Sequence, residues 1–172
     1  MIRAIVVTQF SKMLTNLLAI LDEAEKFAGE KKFDAGVLLQ SRLSPDQFSL
    51  TQQIQTACDT AKLGAARLSD REKDAPVHAD TEKTLAEIKA RIASVVSYLG
   101  GFSPDAFAGA AERRITQPRW QGKTLSGQEF LIQHVIPNFY FHVATAYAIL
   151  RHNGVGIGKR NYLGDMPYRA AA

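Results

Sequence analysis

The sequence predicts an all-α fold: a four-helix bundle with long crossover connections and a short irregular or hairpin insertion before the last helix. Three observations carry this. Apolar residues recur at helical spacing in four separate segments, helix start and stop signals fall between those segments, and the composition is that of an ordinary globular chain. Of 172 residues, 46% are hydrophobic and 22% charged, which is too apolar for a disordered chain. A single domain over residues 1–172 of this size buries about 70% of its unfolded surface around one core.

The elements follow in order. Phe10, Leu14, Leu17, Leu21 and Ala24 step by four and three, forming one stripe of an amphipathic helix. Gly29 is its expected stop. Glu30 to Leu43 reads as a crossover with an apolar knot at Val37-Leu38-Leu39. Ser44-Pro45-Asp46 reads as a helix start, with Ser as N-cap and Pro at the first helical position. It leads into a second stripe of Leu50, Ile54, Ala57, Ala61, Ala65 and Leu68. Ser69 to Ala79 is a charged linker. Asp80 is the expected cap of a third helix, with the stripe Leu85, Ile88, Ile92, Val95 and Leu99, ended by Gly100-Gly101. Ser103-Pro104-Asp105 marks a short helical turn, and Arg113 to Lys123 is irregular or extended around a Gln121-Gly122 turn. Ser126 and Glu129 have capping-box spacing and open the fourth helix. Pro137 inside that helix is expected to kink or split it. Asn153-Gly154 stops it, and the Gly-rich tail from Val155 is expected to fold back over the bundle.

The formal net charge of +4 is unevenly placed. Residues 111–172 carry eight Lys/Arg against three Asp/Glu, an excess of +5, together with eight of the fifteen aromatics. These basic residues are dispersed and form no recognition-helix cluster, so no nucleic-acid partner is expected. The longest apolar run, Phe139 to Leu150, is broken by His142 and Thr145 and falls short of the ~20 residues of a membrane span. No membrane partner and no signal peptide are expected. The single Cys58 excludes an intrachain disulfide and fits a cytoplasmic location.

Candidate chemistry centres on the fourth helix. His134, His142 and His152 lie eight and ten apart, roughly 12–15 Å along a helix at ~1.5 Å per residue. One metal ion needs ligands three or four apart. No three-histidine site is therefore written, and the expected cofactor is none. A divalent metal held by His142, Asn138 and a second-helix amide or carboxylate is the alternative. His142 sits in the most apolar stretch of the chain. It reads either as a buried, hydrogen-bonded histidine or as a pocket residue that binds ligand or moves a proton. Tyr147 and Arg151 share another strip of the same helix. Gly154-Val155-Gly156-Ile157-Gly158-Lys159 has neither the spacing nor the preceding strand of a phosphate loop, although Arg151 and Lys159 flank it as an anion contact at one bundle end. Cys58 beside the alanine stripe reads as a core thiol, and no Ser lies in a nucleophile elbow.

Several segments carry a family resemblance: Arg42 to Leu50, Gln53-Ile54-Gln55, the long run Pro137 to Val155, and Gly158-Lys159 through Tyr162-Leu163-Gly164. Together they closely resemble the domain-of-unknown-function family numbered nineteen-ninety-three, a branch similar to the DinB/YfiT-like superfamily. The resemblance implies an up-down-down-up bundle, often dimeric, and so a homodimer. Many superfamily members bind a divalent metal through one His on the second helix and a His-x-x-x-His pair on the last, and some are thiol-dependent transferases or isomerases. Here only His142 falls on that pair, with Asn138 four before it and Ala146 four after, and the second helix offers Gln or Asp. The resulting expectation is an uncharacterised protein binding a small molecule in a pocket between the second and fourth helices, lined by His142, Gln55, Asn138, Tyr147 and Arg151. The alternatives are a metal-dependent enzyme with a non-standard ligand set, and a structural or protein-interaction module.

Overall fold

Helix formation begins upstream of the first expected stripe. The structure, a computed structural model, describes residues 1–170; Ala171 and Ala172, the end of the expected domain, lie outside the described residues. A wide π-type stretch, Ala4–Gln9, leads without a break into helix α1, Phe10–Lys31. Gly29 does not stop this helix. Termination falls at Lys32, in the left-handed region at φ 62°, and the Phe33 N–H closes on the Ala28 carbonyl. By length and composition the continuous helix Ala4–Lys31, with mean hydropathy 1.5 over its best window, is apolar enough to cross a membrane. That departs from the expectation drawn from unbroken apolar runs, because scattered Thr, Gln and Ser residues interrupt the run while leaving the mean high. Phe10, Leu14, Leu17 and Leu21 of this helix are fully buried in the bundle core, and core burial accounts for such a composition.

Helix α2, Gly36–Leu39, is the apolar knot of the first crossover; Leu38 and Leu39 are buried while Val37 is 63% exposed. Helix α3, Leu50–Leu68, starts later than Ser44-Pro45-Asp46 suggested. Those residues form a turn in which Ser44 Oγ donates to Asp46. Ser49 and Gln52 supply both bonds of a capping box five residues on, and that reciprocal satisfaction of orphan donors outcompetes the earlier signal. Helix α4, Leu85–Gly100, likewise starts at a Thr84–Glu87 capping box and not at Asp80. Asp80 has φ 55° and gives its carboxylate to Arg91 instead.

The insertion is a minimal antiparallel hairpin, β1 (Arg114–Ile115) against β2 (Leu125–Ser126), in register Arg114 with Ser126. Its turn uses left-handed Gln121 and Gly122. Helix α5, Gly127–Phe130, opens on the expected Ser126–Glu129 box. A π-type turn, Leu131–Val135, then joins it to helix α6, Ile136–His152, with no break in the chain path. Pro137 has no N–H and its ring crowds the carbonyl four residues back. The widened turn just upstream accommodates both, so the helix is reshaped where a split was one of the expected outcomes. Gly154, at φ 94°, ends α6. The tail folds back as helix α7, Lys159–Leu163, where Asn16 Nδ2 of α1 donates to the Tyr162 carbonyl at 3.0 Å.

Helix α1 packs on α4 and α6, and α3 packs on the same two from the other side. Arg3 reaches the Phe102 carbonyl while Glu25 pairs with Lys89, so α1 and α4 are antiparallel. Phe10 stacks on Phe139, and Phe27 lies beside Gly154, so α1 and α6 are parallel. Gln53 meets His142 while Thr60 meets Asn138, so α3 runs against α6. The order is up-down-down-up: α3 and α4 are parallel, so a crossover the length of the bundle joins them, while α1 and α3 lie diagonally across the bundle and the first connection spans its end.

Candidate functional site

The α3–α6 seam is polar along its length, because His134, Asn138 and His142 follow at four-residue steps and face α3. His142 is 7% exposed. Its Nδ1 lies 2.7 Å from Gln53 Oε1, and Gln53 Nε2 donates to the Phe48 carbonyl at 3.3 Å. That chain orients the amide and places the imidazole proton on Nδ1, leaving Nε2 as the acceptor. The Phe48 ring stacks over the imidazole, with centroids 6.3 Å apart. Burial holds His142 below the ordinary histidine value of 6.5, so the ring is neutral at neutral pH. His142 is thus buried and hydrogen-bonded, and it does not line the cleft that opens further along the seam.

One turn earlier, Asn138 Nδ2 donates to Thr60 Oγ1 at 2.7 Å. Beyond this pair the seam opens into a cleft of about 350 Å³ between α3, the π-type turn and the insertion. Thr60, Leu63 and Gly64 form its α3 wall, and Phe130, His134 and Asn138 the facing wall. Gln117, the N-cap of the short 3₁₀ segment Pro118–Trp120 in the hairpin, and Arg119 within it form the rim. Gly64 is required where the walls converge, since a Cβ there would lie 2.7 Å from Val135 Cγ1. His134 stacks on Phe130 at 5.4 Å and meets the edge of Trp120 at 5.7 Å, and its Nε2 faces Arg119 at 3.4 Å. Burial first, then Arg119 and Arg67, push the His134 pKa down. Gln117 is 7% exposed, and its Nε2 is buried without a hydrogen-bond partner.

The remaining expected residues lie elsewhere. Gln55 belongs to an ionic cluster on the α4 side of α3, where its Nε2 donates to Glu82 at 2.8 Å. Arg91, with its side chain 1% exposed, is the centre of that cluster and contacts Asp59, Asp80 and Glu82 at 2.8, 2.5 and 2.9 Å. Burial opposes the Glu82 charge, but hydrogen bonds from Arg91 and Gln55 outweigh it and hold its pKa low. Lys62 pairs with Asp59 and reaches His78 Nδ1 at 2.9 Å. Tyr147 packs edge-on against Tyr162 at 5.9 Å on the α7 side, and Arg151 is exposed near the end of α6. Of the five expected pocket residues, only Asn138 lines the cleft. Gln117, Arg119, Thr60 and His134 were not singled out as pocket residues. The four-residue steps from His134 through Asn138 to His142, which put all three on one helix face, are the sequence signal for this wall.

The divalent metal implied by the superfamily does not fit these residues. His142 Nδ1 and the Asn138 amide are engaged by α3 partners, and among the described residues no group of three or more His, Cys, Asp or Glu could hold a metal ion. Cys58 offers no nucleophile, because full burial pushes its thiol up to about 12.

Comparisons with known proteins bear on the fold and the family. A DinB family member from Shewanella denitrificans, solved by crystallography at 1.83 Å, is 61% identical, with 98% of this chain and 95% of that chain covered and a TM-score of 0.96. A search of curated proteins finds no match. The model of the domain of unknown function DUF1993 matches residues 3–163. The fold is therefore the DinB-type bundle, no activity is established for it, and the chain belongs to the DUF1993 family.

Proposed function

We propose that the protein binds a small molecule in the cleft between α3, the π-type turn and the hairpin insertion. The observation that carries this reading is the cleft itself: about 350 Å³, within the range of ligand pockets, walled by Leu63, Val135 and Phe130 and rimmed by the unsatisfied Gln117 amide. His142 and Gln53 close the seam beyond Asn138 and hold its walls together. A metabolite library screened by thermal shift tests the proposal. Leu63→Trp fills the cleft and should abolish a shift that wild type shows, while His142→Ala retains it. A shift lost in His142→Ala and kept in Leu63→Trp overturns the placement. The single, partnerless Cys58 supports a cytoplasmic location, and the family resemblance supports a homodimer, which sedimentation equilibrium tests.

A further inference from the structure

We propose that the ligand of this cleft is a small organic anion whose oxyanion head sits against Arg119 and Gln117 and whose apolar body lies along Leu63, Val135 and Phe130. The inference rests on the cleft being a binding site and names the chemistry of what enters it. Among the described residues Arg119 has no carboxylate partner, and its side chain reaches only the His134 ring at 3.4 Å, a long contact for a charged donor. Gln117, two residues before Arg119 and the N-cap of the same 3₁₀ segment, holds a buried N–H₂ with no acceptor. One donor group without an acceptor and one cation with only a long contact to an imidazole therefore line the same cleft.

The carboxylates nearby are already occupied. Glu72 accepts from Arg67 Nε and Nη2 at 2.9 and 2.7 Å. Asp59, at the far end of the α3 wall, is held by Lys62 and Arg91, each at 2.8 Å. An arriving anion thus meets an unpaired guanidinium at one end and a neutralised carboxylate at the other. The walls between set Leu63, Val135 and Phe130 among the polar Thr60, His134 and Asn138, and the Phe130–His134–Trp120 aromatic group closes one side. A guanidinium and an amide beside a partly apolar wall match a carboxylate or phosphate monoester carrying a short hydrocarbon or ring.

Isothermal titration with hexanoate, hexyl phosphate and hexanamide tests this. At least one of the two anions should bind about tenfold or more tightly than the neutral amide, the expected difference for a charge-assisted contact (about 1.4 kcal/mol). The tighter of the two identifies the head group. Arg119→Gln, an exposed change that leaves the core intact, should erase the preference without weakening hexanamide. Equal binding of all three, or a preference untouched by Arg119→Gln, overturns the anion inference and leaves the cleft reading standing. Failure of both anions to bind overturns it as well. The cleft reading itself falls only if the library screen also yields no shift that Leu63→Trp removes.

Discussion

The two sides of α3 bury polar side chains by different means. Towards α4 the buried groups are charged, and Arg91 gathers Asp59, Asp80 and Glu82 from α3 and the crossover. Towards α6 they are neutral, and two one-to-one contacts, Gln53 with His142 and Thr60 with Asn138, close the seam at two heights. A guanidinium carries five donors in a fixed fork and recruits acceptors from every nearby element. The neutral groups here make one contact each across the seam and leave the rest of their surroundings open. The ionic side consequently pins a long crossover between two parallel helices, and the neutral side leaves room for a cleft.

The contrast is most easily broken at Arg91. Arg91→Met removes the shared partner of three carboxylates, leaving Asp59 only Lys62 and Glu82 only Gln55, and should cost about 2–4 kcal/mol, below the full value for a buried pair because Asp59 and Asp80 are partly hydrated. Urea unfolding at neutral pH measures it, and a loss under about 1 kcal/mol would make the two sides of α3 energetically alike.

A smaller effect is read through pH, and its α6 share through His142. Burial holds His142, His134 and His78 all below the ordinary value of 6.5. The unfolded chain therefore binds more protons in the window just below that value, and stability rises with pH there. The contribution is fully present above the unfolded value and is lost as pH falls through 6.5 toward the lower folded values. His142→Gln keeps a donor toward Gln53 and removes one titrating group. It should cost about 1 kcal/mol or less at pH 7.5 and make the loss between pH 7.5 and 5.5 shallower than in wild type, as read from urea midpoints.

The smallest effect calibrates both. Lys89 bridges α4 to Asp22 and Glu25 of α1 at 2.7 and 2.6 Å, with both carboxylates more than half exposed. Lys89→Ala should cost about 0.5 kcal/mol, and more than about 1 kcal/mol would show that ion pairs matter here without burial.

Much of the fold was legible in the sequence because the signals were local. The stripes from Phe10, Leu50 and Leu85, the Ser126–Glu129 box and the Asn153-Gly154 stop are all contained within a turn or two of helix. Where a local signal misled, a stronger one stood close by: Ser49–Gln52 behind Ser44, and Thr84–Glu87 behind Asp80. The site was less legible because its wall is assembled across distance. Gln117 and Arg119 come from a hairpin with no helical period and face α3 more than fifty residues earlier. Gln55 lies two residues from Gln53, about 200° around α3, so it faces α4 while Gln53 makes the contact with His142. Arg91 carries no signal of its own in the sequence, because no spacing rule links it to Asp59, Asp80 or Glu82.

The π-type turn at Leu131–Val135 has a consequence for phase. A regular helix drifts forward about 40° for every four residues, so groups at four-residue steps gradually leave a common face. An underwound turn drifts the other way. By inserting one before Pro137, the chain brings Phe130 and His134 back into line with Asn138 and His142, and a single helix presents one continuous face to α3. Deleting one residue from this turn would restore regular winding and rotate everything upstream by about 100°. The hairpin, its rim residues and the Ser126 cap would then be carried off the wall they complete.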